Sequence, residues 1–144
     1  MLNKKILVVG KGKWGTKFIN ELKKINDKIK IIDSKIDFKR INTKNLDQVF
    51  VLTNDKNHYK IVRYFLEKKI KVFCEKPLTL KYINSKKLFN LSKKNKTKLY
   101  VSDVEMFKNK IIKLKKDNII KRSKYDNNKT NILNRLAYHD FYLL

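Results

Sequence analysis

The three glycines of the chain all fall in one short segment, where their spacing points to phosphate chemistry. They belong to the run Gly10-Lys11-Gly12-Lys13-Trp14-Gly15, a complete G-x-G-x-x-G pattern between an apolar run and a helical one. The first glycine allows a tight turn, the second leaves room for a pyrophosphate, and the third lets helix and strand pack closely. The pattern predicts a dinucleotide site formed by this run, with Lys13 and Trp14 included. The alternative is a strand-to-helix turn that needs only a positive φ.

A carboxylate, Asp33, is placed to choose between dinucleotides. It ends the second predicted strand, where an acidic residue can accept hydrogen bonds from both adenosine-ribose hydroxyls and repel a 2′-phosphate. This position favours NAD, with Ser34 beside it as a further cofactor-binding candidate. Lys35 would partly neutralise Asp33 or hold a phosphate, so NADP stays open. Asp33 could also be only a turn former at a strand end.

Short apolar runs alternate with helical patterns, and these elements must position the residues above. The runs at 6–9, 29–32, 48–53, 71–74 and 99–101 predict strands of a parallel sheet that is buried on both faces. The apolar spacing predicts a helix after the glycines, with Phe18, Ile19, Leu22 and Ile25 on its buried face. Further helices are predicted over 59–68 and over 82–94, the last through Ile83, Leu88 and Leu91.

This alternation predicts an α/β fold, a doubly wound parallel sheet (Rossmann) with helices on both faces and a short helical C-terminal tail. The segment 34–47 is too short for a full helix plus a strand. We therefore expect a short edge strand around residues 38–41, followed by a turn.

The composition excludes several classes of protein. The 144 residues are 42% apolar and carry a net charge of +24, which indicates a globular domain despite the charge. The lysines occur in nearly every segment and only four basic residues are arginine, so the charge argues against a nucleic-acid partner. No apolar stretch approaches the roughly 20 residues of a membrane span. The single cysteine and the lack of a secretory apolar region predict a cytoplasmic location.

Two further motifs resemble a known family. One is a predicted strand that ends in Thr53, with His58 five residues later, and the other is Glu75-Lys76-Pro77 at the end of a later strand. Together with the Gly-Lys-Trp-Gly of the glycine loop, they are similar to the N-terminal domain of the Gfo/Idh/MocA (glucose–fructose oxidoreductase/inositol dehydrogenase) family, over roughly residues 4–107. The resemblance implies NAD(P)-dependent hydride transfer at a hydroxyl of a sugar, nucleotide sugar or cyclitol.

The resemblance also assigns roles to single residues. Thr53 and Asn54 would line the cofactor crevice, although the family usually has proline at position 54. Glu75 and Lys76 would lie beside the nicotinamide, with Lys76 as a catalytic residue that reaches the substrate hydroxyl. Pro77 would fix the turn that aims them.

Both histidines of the chain fall on family positions. His58 is counted with the cofactor-binding residues, although a role in starting its helix is the favoured interpretation. His139, in a segment that looks like the family's Leu-Ala-x-His-Asp helix, would be the catalytic base or acid for the substrate hydroxyl. Many members carry an aspartate one helical turn earlier, where this chain has Arg135, and this departure puts the orientation of His139 in doubt.

The resemblance finally predicts the domain organisation. Residues 1–107 would form the dinucleotide-binding domain, and residues 108–144 would begin a substrate domain that family members continue into a large sheet, which commonly mediates oligomers. We expect either a truncated chain or a reduced protein that binds dinucleotide without turnover. The alternative functions are a non-catalytic dinucleotide-binding module or partner subunit and, third, a polyanion-binding protein that uses residues 108–124.

Overall fold

The computed structural model describes residues 4–33, 35 and 37–102, which form strands and helices in strict alternation. The order is β1 (Ile6–Val9), α1 (Lys13–Ile25), β2 (Ile29–Ile32), a 3₁₀ helix (Phe38–Arg40), β3 (Gln48–Val51), α2 (Asp55–Glu67), β4 (Lys71–Cys74), α3 (Tyr82–Lys94) and β5 (Leu99–Val101). Each strand is only three or four residues long.

The five strands form one parallel sheet in the order β2-β1-β3-β4-β5. Their ends are in register, so that Val9 pairs with Ile32 on one side and with Val51 on the other. All carboxyl ends therefore lie at the same edge of the sheet. The chain leaves β1 for an outer position and returns to the other side of it as β3, so the order of the strands reverses between β1 and β3. Ligands of open α/β sheets bind in the crevice at such a switch point.

Alternate strand residues face two separate cores. Leu7 and Val9 pack in a core that contains residues of α2 and α3, while Ile6 and Val8 pack in a second core with Ile19 of α1. Helices thus cover both faces of the sheet, and the predicted doubly wound α/β architecture is confirmed.

The crossover between β2 and β3 differs from the prediction. Residues 38–41 do not form an edge strand, because the chain makes the 3₁₀ helix Phe38–Arg40 at this point. Its start is capped by Asp37, whose Oδ1 accepts a hydrogen bond from the Lys39 N–H at 3.0 Å. The buried Phe38 ring packs edge-on against Tyr64 of α2, with the ring centroids 5.4 Å apart. The packing of Phe38 against α2 therefore accounts for a 3₁₀ helix in place of the predicted edge strand.

Two predicted boundaries and two predicted core positions are also corrected. Helix α2 begins at Asp55 rather than at residue 59, because the side chain of Asn54 caps its first turn. Strand β3 ends at Val51 rather than at residue 53. Ile25 and Ile83 are exposed, because the buried stripe of each helix does not extend into the terminal turn that carries the residue.

Several predictions fall outside the described residues. They concern Ser34, the domain boundary at residues 107 and 108, and the tail with Arg135 and His139. Within the described ranges, no helix has both the length and the apolar character that crossing a membrane requires.

Candidate dinucleotide-binding site

The segments that carry the predicted site residues leave the same edge of the sheet. Gly10, Leu52 and Glu75 are the first residues after β1, β3 and β4. Each donates its backbone N–H to the last residue of a neighbouring strand, at 2.9, 2.9 and 3.0 Å. The strand ladder therefore extends one residue into each loop. We refer to residues 10–15 as the glycine loop, to residues 52–54 as the Thr53 loop and to residues 75–78 as the Lys76 loop.

Glycine occurs at these three positions for different structural reasons. Gly10 has a φ of 105°, and a Cβ there would lie 2.6 Å from the backbone oxygen of Leu52. A Cβ at Gly15 would lie 2.6 Å from the backbone oxygen of Gly10, where α1 packs against the strand end. A Cβ at Gly12 would meet nothing within 4 Å. The described fold thus leaves no free space for a Cβ at Gly10 or Gly15, whereas Gly12 only leaves space in front of the backbone.

That space lies at the N-terminus of α1. Gly12 is the N-cap, no side chain caps the helix, and the first turn contains no acidic residue. In α2, by contrast, the Asn54 side chain accepts a hydrogen bond from the Lys56 N–H at 3.1 Å. The first N–H groups of a helix carry partial positive charge and attract anions. The open space at Gly12 and the uncapped helix start fit the pyrophosphate of a dinucleotide.

Asp33 follows β2, beside the glycine loop. Its Oδ1 accepts a hydrogen bond from the backbone N–H of Lys35 at 3.0 Å, which makes a local turn. Its Oδ2 lies 3.9 Å from the Nζ of Lys11. The cation next to Asp33 is therefore Lys11 of the glycine loop, a residue for which the sequence analysis made no prediction. Both side chains remain partly exposed, so solvent screens this ion pair.

Trp14 connects the glycine loop with the Lys76 loop. Its indole Nε1–H donates to Oε2 of Glu75 at 3.3 Å, across 61 residues of sequence. The Trp14 side chain is 49% exposed, so this contact lies at the surface of the crevice. The structure therefore brings together two residues that the sequence placed in separate motifs, and Lys76 follows Glu75 as a half-buried residue.

His58 lies in the first turns of α2 and faces inward. Its ring is 1% exposed, with Nδ1 2.8 Å from the carbonyl oxygen of Pro77 and Nε2 3.0 Å from that of Thr53. Both ring nitrogens are thus engaged by backbone atoms. This placement suits a residue that holds two loops rather than one that touches a cofactor.

Thr53 and Asn54 stand between β3 and α2. The Thr53 hydroxyl donates to the carbonyl oxygen of Asn54 at 3.3 Å, and the Asn54 side chain caps α2. Asn54 therefore caps α2 at the position where the family usually has proline. Thr53 is half-buried at the carboxyl edge of the sheet.

Cys74 ends β4, next to Glu75, but points into the core. It is 0% exposed, and burial, with a smaller contribution from the charge of Glu75, raises the pKa of its thiol well above the ordinary value. The thiol is therefore protonated and inaccessible. Although it lies one residue from the site, it is not placed to act as a nucleophile.

Comparisons with known proteins agree with this geometry. Residues 34–103 match the family model described as "Oxidoreductase family, NAD-binding Rossmann fold", the Gfo/Idh/MocA family. A comparison with curated protein sequences finds no match.

Solved structures share the fold. A UDP-N-acetylglucosamine 3-dehydrogenase from Acidithiobacillus ferrooxidans has a TM-score of 0.62 and 16% identity, covering 70% of this chain and 38% of that one. A biliverdin reductase from Synechocystis, solved with biliverdin and NADP+, has a TM-score of 0.61 and 20% identity, covering 71% and 38%. A "probable dehydrogenase" from Thermotoga maritima has a TM-score of 0.58 and 25% identity, covering 67% and 35%.

This chain thus spans well under half the length of these relatives. Over residues 34–103 it matches the NAD-binding Rossmann domain of the Gfo/Idh/MocA oxidoreductase family, and the solved structures share its fold.

Proposed function

We propose that this chain binds NAD across the carboxyl edge of its sheet and serves an oxidoreductase. The observation that carries the proposal is Gly12, which no contact of the described fold requires and which leaves open space at an uncapped helix start. A pyrophosphate needs that space, and the orphan N–H groups would bind its charge.

The positions of the other residues support one orientation of the dinucleotide along the carboxyl edge of the sheet. Asp33 lies at the end of β2 and would bind the adenosine ribose, with Lys11 beside it. The pyrophosphate would lie on Gly12, above the end of β1. The nicotinamide would then reach the far side of the switch point, toward Thr53 and Glu75. NAD is the favoured cofactor, and Lys11 keeps NADP open because it lowers the negative charge near the ribose.

The proposed reaction is hydride transfer at a hydroxyl of a sugar, nucleotide sugar or cyclitol. The nicotinamide supplies the hydride acceptor when the hydroxyl-bearing carbon is oxidised to a carbonyl. Lys76 would hold and polarise the hydroxyl oxygen, and His139 would take the proton. The nucleotide-sugar dehydrogenase among the structural relatives supports this substrate class. We also propose a cytoplasmic location, which is supported by the lone, buried Cys74.

The binding proposal is tested with Gly12→Val, measured by calorimetry with NADH. A Cβ at this position meets no atom of the described residues within 4 Å, so the variant should fold and still lose roughly 100-fold or more in affinity. Lys81→Val is the matched control, because Lys81 is also an N-cap without a side-chain cap bond, on α3 rather than α1. A folded Gly12→Val protein that binds NADH like the parent would overturn the proposal.

The reaction is tested on the same preparation with a panel of sugars, nucleotide sugars and cyclitols. NADH formation that disappears in Lys76→Ala supports hydride transfer with Lys76 in the site. Binding of NADH without turnover on any member of the panel would replace this part of the proposal with a non-catalytic dinucleotide-binding module.

A further inference from the structure

The most completely buried polar side chain near the site is His58, and its two contacts are unusual in kind. Each ring nitrogen faces a backbone carbonyl, that of Pro77 at 2.8 Å and that of Thr53 at 3.0 Å. A carbonyl oxygen only accepts hydrogen bonds, so the imidazole is the donor wherever a bond forms. Because the ring is 1% exposed, water does not replace these bonds.

The two carbonyls belong to different loops of the crevice. Thr53 lies in the loop after β3, five residues before His58, and Pro77 lies in the loop after β4, 19 residues beyond it. His58 itself is fixed in α2 between the strands that carry these loops. One side chain thus ties the Thr53 loop to the Lys76 loop.

Packing alone does not explain a histidine at this position. The neighbouring core positions of α2, such as Ile61 and Val62, are apolar, as is typical of a helix that covers a sheet. A polar ring in such a place costs free energy unless its nitrogens are bonded. What the imidazole adds over an apolar side chain is a ring nitrogen beside each loop. A neutral ring donates to one of the two carbonyls, whereas an imidazolium donates to both.

We propose that His58 is a positioning residue that sets the spacing of the Thr53 loop and the Lys76 loop, and so aligns the nicotinamide end of the site. This inference rests on the proposed function and deepens it. It divides the dinucleotide into two halves. In the proposed binding mode the ADP-ribose half lies on Asp33 and the glycine loop, with which His58 forms no hydrogen bond among the described residues. The nicotinamide half lies on the two loops that His58 contacts.

This division of the dinucleotide gives a test in which a positioning residue and a purely structural residue have different expected results. In His58→Phe, which keeps a ring but removes both ring nitrogens, NADH affinity should fall about tenfold while ADP-ribose affinity stays within about twofold of the parent. Val62→Ala is the control, because Val62 is fully buried in the same helix but belongs to the apolar core. It should lower the melting temperature and leave the ratio of the two affinities unchanged.

A second readout needs no cofactor. Trp14 is the only tryptophan, and its indole contacts Glu75 of the Lys76 loop at 3.3 Å. His58→Phe should therefore change the Trp14 emission of the free protein, and Val62→Ala should not. If His58→Phe fails to fold, His58→Gln takes its place, since its amide nitrogen can still donate to a carbonyl of one loop. Its ratio of affinities should fall between those of the parent and a variant without donors.

The outcomes separate this inference from the proposal on which it rests. A parent protein that binds neither NADH nor ADP-ribose contradicts the proposed function, and Trp14 emission then decides the role of His58 alone. Equal losses of NADH and ADP-ribose affinity in the His58 variant, or a Trp14 emission identical to that of the parent, would overturn the positioning role.

Discussion

Replacing each glycine of the loop by alanine should affect folding in a fixed order. We expect Gly10→Ala to be the most destabilising, Gly15→Ala to be intermediate and Gly12→Ala to be nearly neutral. The order follows from what the new Cβ meets: a carbonyl 2.6 Å away combined with a φ of 105°, a carbonyl 2.6 Å away alone, and open space.

The magnitudes follow from these contacts. At Gly10, the unfavourable φ costs about 1–3 kcal/mol and the clash with Leu52 adds about 1–3 kcal/mol, which gives about 2–6 kcal/mol. At Gly15, a clash of about 1–3 kcal/mol is offset by about 1 kcal/mol of gained helix propensity. At Gly12, the weaker cap costs about 0.5–1 kcal/mol, and the stiffer unfolded chain returns a similar amount. Since domains are stable by about 5–15 kcal/mol, only Gly10→Ala threatens folding.

Urea unfolding followed by far-ultraviolet circular dichroism measures all three variants against the parent. Equal slopes would show that the variants expose the same surface on unfolding, so that differences between midpoints report stability. A Gly10→Ala protein as stable as the parent would refute the reasoning from φ and the contact with Leu52. A Gly12→Ala protein that is the least stable of the three would refute the claim that Gly12 only leaves space for a ligand.

Two further predictions concern Asp33 and Cys74. Asp33→Ser should weaken NADH binding and raise the relative affinity for NADPH, while Lys11→Ala should shift the ratio toward NADH, because it removes the cation 3.9 Å from the carboxylate. Calorimetry with both nucleotides measures the ratio, and a parent that already prefers NADPH contradicts this assignment. Cys74 should react with a disulfide reagent only as the protein unfolds, because its thiol is 0% exposed with a raised pKa. Rapid labelling of the native protein, followed at 412 nm for about an hour, would contradict its burial.

The central strands of the sheet could be predicted from the sequence because they are buried on both faces. A strand such as Ile6–Val9 needs apolar residues at every position, and that pattern is visible without knowledge of its partners. The ends of the helices were harder to predict from the sequence. The apolar period of α2 begins at Tyr59, but the helix starts at Asp55, where Asn54 caps it, and a cap is a single polar residue that periodicity does not register.

The crossover after β2 could not be predicted from its local pattern. Length alone indicated that residues 34–47 were too short for a helix and a strand. The conformation, however, depends on Phe38, whose ring packs against Tyr64 and Phe65 of α2. Those partners come later in the chain, so the preference of residues 38–41 for a strand gave way to tertiary packing.

The residues and contacts of the site also differ in how far the sequence predicts them. The structural roles of Gly10 and Gly15 were predictable because each follows from position in one loop. The contact of Lys11 with Asp33 and that of Trp14 with Glu75 join separate elements, so they depend on the strand order. For His58 the sequence carries even less information, because its partners are backbone carbonyls, which every residue type possesses.

These contacts link the loops of the proposed site in the absence of any ligand. The backbone of each loop is fixed at its start by the strand ladder, and side chains then join the loops in pairs. Trp14 joins the glycine loop to the Lys76 loop, and His58 joins the Lys76 loop to the Thr53 loop. A site whose loops are already linked loses little conformational entropy on binding, so more of the contact energy appears as affinity. The two links differ in cost to the fold, because the Trp14 contact is exposed and the His58 contacts are buried.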